Sequence, residues 1–268
     1  HRSREIIEAC VEKEAAVYGT TTGFGALVSQ FISKEEAELL QKNIILTHSV
    51  SVGNPLKEEE VRAVILMVLQ SLGKGVSGVR LEVLERYREF LNKNLIPYVP
   101  GEGSVGYLCA EAHIGAVLIG EGRAWYQGEL MAAEKALKAA GMEPLTLSYK
   151  EGLALINGTT SPTALAALAV YRLAQAAETA DVVAAMSLEG LKGQMRAYDS
   201  HVTKCRPQKE LEETAENLKA LLAGSEVVKK WAGSHLQDPL SLRCIPQLHG
   251  AAKRILKDAW EVVSCEIN

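Results

Sequence analysis

Apolar residues recur at helical spacing along most of the chain. Between 58 and 73, Val61, Val64, Ile65, Val68, Leu69 and Leu72 fall at i, i+3, i+4 and i+7 intervals and mark one buried stripe. Gly73 reads as the cap that ends this helix. Upstream, Ser33 and Glu36 form a capping-box pattern, which predicts a helix from there to about 45. Residues 1–16 read as a helix entered partway. Further helices are expected at about 79–91, from 108, at 129–140, 210–222 and 248–265. Ser161-Pro162 predicts a helix start with proline at the first helical position, and the apolar run continues to about 191. About thirty residues at ~1.5 Å each make a rod of roughly 45 Å, rich enough in alanine for close helix neighbours. Pro97, Pro100, Gly101, Gly103 and Gly106 predict a loop over 94–106. Strand signals are few and short and no repeat is visible. The predicted fold class is therefore all-α, a long-helix bundle, with 1–268 forming a single portion of it.

Composition narrows the class without naming a chemistry. The chain has 268 residues, 47% of them hydrophobic, which is enough for a substantial core. A net charge of −4 and the lack of a basic patch give no footprint for nucleic acid. The longest apolar run, 162–188, carries Arg172, Glu178 and Asp181, which argues against a membrane span. Five scattered cysteines without a CxxC pair point to free thiols in a reducing cytoplasm. The histidines have no H-x-x-x-H spacing, so no metal is expected.

Four segments exceed what a bundle needs. Tyr18-Gly19-Thr20-Thr21-Thr22-Gly23-Phe24-Gly25 is either a surface loop with a packed tyrosine or a tight loop presenting a base. A tyrosine serves as a base only where its neighbours favour the phenolate. Gly101-Glu102-Gly103-Ser104-Val105-Gly106 matches G-x-G-x-x-G, but two prolines and a helical context exclude the dinucleotide fold. It still suits an amide-lined loop before a helix N-terminus. Asn157-Gly158 is a turn dipeptide before the long helix, or a site amide. The last segment, 237–250, gathers Gln237, Asp238, Arg243, Gln247 and His249 around two prolines, Pro239 and Pro246. Arg243 reads as a carboxylate clamp or as half of a surface ion pair.

Together these segments resemble the histidine and phenylalanine ammonia-lyase family, the histidine branch most of all. YGTTTGFG, LQKNIILTHSVSVGNPL, GKGVSGVR, GEGSVG, AHIGAVLIGEG, KEGLALINGTT, SLEGLKG and QDPLSLRCIPQLHG follow in family order along almost the whole chain. The resemblance implies a helical fold of the fumarase/aspartase-like type with a loop-rich N-terminal active-site region. It also implies a homotetramer with composite active sites, and a 4-methylidene-imidazole-5-one ring (MIO) made from an Ala-Ser-Gly tripeptide. Carried over residue by residue, Tyr18 is the base that removes the β-proton. His48 favours an imidazole side chain, Asn157 holds the substrate or the electrophile, Gln237 supports the site, and Arg243 binds the carboxylate. The implied reaction eliminates ammonia from histidine or a close analogue to give a urocanate-type acrylate. The related 2,3-aminomutase reaction shares its early steps.

The sequence also departs from that pattern. Gly106 runs directly into Tyr107, where the family places the ring, and Ala-Ser-Gly occurs nowhere in the chain. The family match resumes at AHIG, short by the length of that tripeptide. Either the mature ring is carried as a non-standard residue outside the one-letter chain, or the protein lacks it. The exact three-residue gap favours the first, whereas Tyr107, Cys109 and Glu111, in place of the family's Asp-Leu-Ala-Pro-Leu run, favour the second. A ring-less relative is expected to act on a betaine such as ergothioneine, whose trimethylamine leaves unaided; a non-catalytic partner subunit is the further alternative. Thr21 stands where the family has asparagine, and Leu240 where histidine lyases carry a tyrosine that would face the substrate. Cys265-Glu266-Ile267-Asn268 resembles the start of a segment after which about half of a family chain follows. A fragment, or one part of a split enzyme needing a second chain, is therefore expected.

Overall fold

The structure, a computed structural model, describes residues 2–24, 32–103 and 108–268. It is mainly helical, as the periodicity predicts, and divides into two compact units, His1–Leu165 and Ala166–Glu266.

In the first unit, α1 is Arg2–Glu12 and α2 is Lys34–His48. The predicted capping box starts α2: the Ser33 hydroxyl accepts from the Glu36 amide, and the Glu36 carboxylate accepts from the Ser33 amide. Strand β1, Val52–Pro55, precedes α3, Glu58–Gly73, whose Val61, Val64, Ile65, Val68 and Leu72 are all buried. Gly73 is still helical; the left-handed residue that turns the chain is Gly75, at φ +75°. Then come α4, Leu81–Asn92, and the short strands β2, Ile96–Pro97, and β3, Pro100–Glu102.

The expected loop over 94–106 is thus partly paired. β3 lies antiparallel to β1, with Val52 opposite Glu102. β2 edges a three-stranded antiparallel sheet with β4, Arg123–Tyr126, and β5, Glu129–Ala132. Edge positions need no inner amide, which is why these strands tolerate proline. Helix α5, Cys109–Leu118, lies between β3 and β4. The helix expected from 129 starts later, as α6, Ala133–Ala139. Gln127 and Gly128, both at positive φ, turn β4 tightly into β5 and place Trp125 opposite Leu130. A short α7, Glu151–Ile156, precedes the long α8, Thr160–Gly190. Helix α8 begins one residue before the expected Ser161-Pro162 start, with the proline inside its first turn.

In the second unit, α8 ends at Gly190 and the chain runs through a 3-10 turn, Met195–Tyr198, to α9, Ser200–Thr203, and α10, Lys209–Leu221. Then follow α11, Glu226–Trp231, α12, Leu240–Arg243, and α13, Ile245–Ile267, with Pro246 in its first turn. Ala184, Ala185, Leu188, Tyr198, Ala215, Leu218, Leu242 and Ile245 form its core. Gly250 brings α13 onto α10, since a Cβ there would lie 2.7 Å from the Leu211 backbone. By length and composition alone, the stretch Glu151–Gly190 is apolar enough to cross a membrane, a test that core helices also pass. Its Asp181 is fully buried and bonded to Asn217, His249 and Lys253.

Candidate active site

The first unit holds Tyr18, His48 and Asn157. The Tyr18 loop is shaped by its threonines. Thr21 Oγ1 donates to the Ala15 carbonyl at 2.5 Å and accepts from the Val17 amide at 2.9 Å. The Thr20 and Thr21 amides both reach the Val17 carbonyl, and the Thr21 carbonyl accepts from Ile32. Thr20, Thr21 and Thr22 are buried by these duties, whereas Tyr18 is 52% exposed and stands edge-on to Phe24. Gly19 has φ +63°, and a Cβ there would come within 2.4 Å of Phe24 and 2.5 Å of Leu153. The loop therefore packs directly on α7.

Asn157 caps the C-terminus of α7 with an exposed side chain, and its amide donates to the Leu153 carbonyl at 3.1 Å. At the other end of α7, Gln41 Oε1 accepts from the Gly152 and Leu153 amides. Glu151 is fully buried. Its oxygens accept from Arg80 Nε at 2.8 Å, Arg80 Nη2 at 2.7 Å, and the Arg80 and Ser148 amides. Burial pushes its carboxyl pKa up, but these bonds and the guanidinium charge prevail and hold it below the usual carboxylate range. Gln41, Arg80 and Glu151 escaped the sequence reading, because their partners lie far away in the chain and nothing local marks Gln41 and Glu151 as buried.

His48 is the last residue of α2, and its Nδ1 lies 2.8 Å from the Ile44 carbonyl. A carbonyl only accepts, so Nδ1 carries a proton, and the neutral ring with this tautomer leaves Nε2 as an acceptor. A second imidazole, also passed over, anchors the glycine-rich loop: His113 Nε2 accepts from the Ser51 amide at 3.2 Å. Ser51 Oγ in turn donates to the Gly103 carbonyl at 3.0 Å. Burial lowers the His113 pKa and favours the neutral ring that accepts this bond. The loop's later residues, with the ring-flanking candidates Gly106 and Tyr107, lie outside the described residues, as does Gly25.

The second unit holds Gln237, Leu240 and Arg243. Gln237 and Arg243 line one cleft of about 370 Å³, with Gln194, Arg196, Cys244 and Gln247 beside them. Arg243 Nε has no hydrogen-bond partner among the described residues. The cleft wall is fixed by the buried Asp238, which accepts from the Gln194 amide at 2.6 Å and contacts His235 Nε2 at 2.7 Å. The Tyr198 hydroxyl donates to the Leu242 carbonyl, next to Arg243. Leu240 is 62% exposed and is not among the cleft's lining residues. Two arginines and three glutamines suit a carboxylate-bearing ligand. Among the described residues, no three His, Cys, Asp or Glu gather as a metal site would require. The tripeptide from which the ring would form, Ala-Ser-Gly, does not occur in the sequence.

The match to known proteins is extensive. A histidine ammonia-lyase of Caldanaerobacter subterraneus subsp. tengcongensis is 45% identical over 269 residues, which covers 99% of this chain and 53% of the relative. The chain thus spans about half the length of the curated relatives it matches. Among solved structures, phenylalanine aminomutase from Pantoea agglomerans superposes with a TM-score of 0.93 at 33% identity, covering all of this chain and 55% of the other. Ergothionase from Treponema denticola, an ergothioneine-degrading enzyme, gives 0.91 at 27% identity over 100% of this chain and 54% of its own. The aromatic amino acid lyase family model matches residues 1–268, motif order and fold agree with it, and the chain belongs to that family.

Proposed function

We propose that this chain supplies the N-terminal and central part of a carbon–nitrogen lyase acting on histidine or a histidine-like amino acid. One observation carries the reading: the chain is 45% identical to a histidine ammonia-lyase along 99% of its length, and Tyr18, His48, Asn157, Gln237 and Arg243 stand in its family-like motifs. In this reading Arg243 receives the substrate carboxylate in its cleft, and His48 offers Nε2 to the substrate ring. Tyr18 takes the β-proton while Asn157 orients the polar end, and loss of ammonia leaves a conjugated acrylate. The family's ring would supply an electrophile that improves the amine as a leaving group. The active form is a homotetramer, or a complex with a second chain carrying the rest of the fold, in the cytoplasm. The free cysteines accord with that compartment.

The missing Ala-Ser-Gly favours a second reading, in which the substrate is a betaine whose quaternary amine leaves without electrophilic help. The likeness to ergothionase supports it. The experiment is an absorbance assay for a urocanate-type product, on the chain alone and with the remainder of the lyase fold. It is paired with the mass of the peptide 101–123. Product from histidine, and a mass exceeding the sequence by Ala-Ser-Gly less two waters, sustain the first reading. Trimethylamine from ergothioneine, with a mass equal to the sequence, replaces it with the second. No turnover of either substrate refutes both and leaves a partner subunit.

A further inference from the structure

We propose that Glu111 is a positioning residue that fixes the Asn157 turn from its C-terminal side. Glu111 stands in the first turn of α5 and is fully buried. Its Oε1 accepts from Thr160 Oγ1 at 2.6 Å and from the Ser161 amide at 2.7 Å. Both donors lie in the first turn of α8, where orphan amides and the helix dipole favour a carboxylate. Two short bonds to one carboxyl oxygen make a directional contact. The other oxygen, Oε2, is buried without a hydrogen-bond partner among the described residues, so the restraint rests on Oε1 alone.

The turn between α7 and α8 is thereby held on both sides by buried groups from elsewhere. Glu151 and Gln41 fix the start of α7, and Glu111 fixes the start of α8. Between them the exposed Asn157 side chain makes no hydrogen bond among the described residues, and Gly158 sits at φ +129°. An exposed asparagine keeps a defined place only if both flanking helices are pinned. Glu111 also ties α5, which follows the glycine-rich loop, to this turn, so two of the candidate segments share one carboxylate. A displacement of about 1 Å at such a side chain can slow a reaction roughly a hundred-fold.

The inference rests on the elimination reading only for the role of Asn157. The test uses Glu111→Leu, Glu111→Gln, Asn157→Ala and the Glu111→Leu/Asn157→Ala double variant, in the assembled enzyme with the substrate the assay above identifies. Glu111→Leu is expected to lower kcat at least about ten-fold with KM nearly unchanged. Glu111→Gln, which keeps an acceptor oxygen, restores most of it. In the Asn157→Ala background Glu111→Leu costs less than about two-fold, because both act through one group. Additive losses, or a Glu111→Leu enzyme as active as the parent, overturn the proposal. If no substrate turns over, the elimination reading fails on its own, and hydrogen exchange decides for Glu111. Peptides covering 157–165 should exchange at least about ten-fold faster in Glu111→Leu, with 209–222 unchanged; unchanged exchange at 157–165 overturns the inference. Should Glu111→Leu fail to fold, Thr160→Val removes one of the two donors and carries the same test.

Discussion

Replacing Arg80 with methionine tests how the Asn157 turn is held from its other side. The substitution keeps an apolar stem and removes the guanidinium that contacts Glu151 at 2.8 and 2.7 Å and the Thr146 carbonyl at 2.7 Å. Glu151 has no exposed surface, so its charge would stay buried and lose its principal counter-ion. Breaking one side of a buried pair costs about 3–5 kcal/mol. The lower end applies, since the Arg80 and Ser148 amides still donate and Arg4 remains at 3.7 Å. About 3 kcal/mol in a unit of this size lowers Tm by roughly 6–12 °C. The pH dependence has a definite sign. The Glu151 carboxyl lies below its usual range when folded, so its stabilisation is complete above the unfolded value, about 4.3. It is lost as pH falls through the depressed folded value. The gap between parent and Arg80→Met is therefore widest near neutrality and narrows in acid. Thermal unfolding by calorimetry at pH 7 and pH 4 measures both. A Tm within about 2 °C of the parent at pH 7, or a gap that widens in acid, would refute this account.

Other perturbations separate scaffold from chemistry. Asp181→Asn should cost about 3 kcal/mol by denaturant titration, because a fully buried carboxylate that bonds Lys253, His249 and Asn217 is replaced by a neutral group. Burial raises the Asp181 pKa, but those bonds outweigh it and depress the pKa, so this contribution is full above about 3.9 and vanishes as pH falls through the folded value. Tyr198→Phe leaves the Leu242 carbonyl without its donor, costing about 1–3 kcal/mol, and should raise KM more than it lowers kcat because Arg243 is the next residue. Thr21→Asn should lower the melting temperature without changing the ratio of kcat/KM between histidine and ergothioneine. Leu240→Tyr should change that ratio and leave stability alone, and the reverse pattern would show that the two departures have been assigned the wrong roles.

Long helices were legible because their burial is written in a local period. The α3 stripe and the Ser33–Glu36 cap needed no partner to be recognised. Non-local pairing was not legible: β1 finds β3 nearly fifty residues later, and no local signal marks either strand. The β4–β5 hairpin did carry a signal, Gln127-Gly128, which the helical pattern of the residues after it obscured. The candidate site shows the same division. Tyr18, His48, Asn157, Gln237 and Arg243 were read from their motifs. The groups that hold them were not, because Glu151 meets Arg80 from 71 positions away and Glu111 meets Thr160 from 49. A charged residue in an apolar run looks like a solvent-facing position until its partner is known.

Each chemical segment is held by polar side chains that do no chemistry, and this changes the weight of the family departures. Thr21 differs from the family's asparagine, yet its hydroxyl is spent on the Ala15 carbonyl and the Val17 amide. A side chain buried at the hub of a loop cannot also contact a substrate, so Thr21 alters how Tyr18 is carried rather than what it meets. Leu240 is the opposite case, since 62% of it is exposed. Changing a hydroxyl-bearing ring to an aliphatic side chain there costs the fold little and removes a donor from whatever approaches. A site built to bond a hydroxyl discriminates far more sharply than one that offers only apolar surface. Substrate choice is therefore expected to follow residue 240 rather than residue 21.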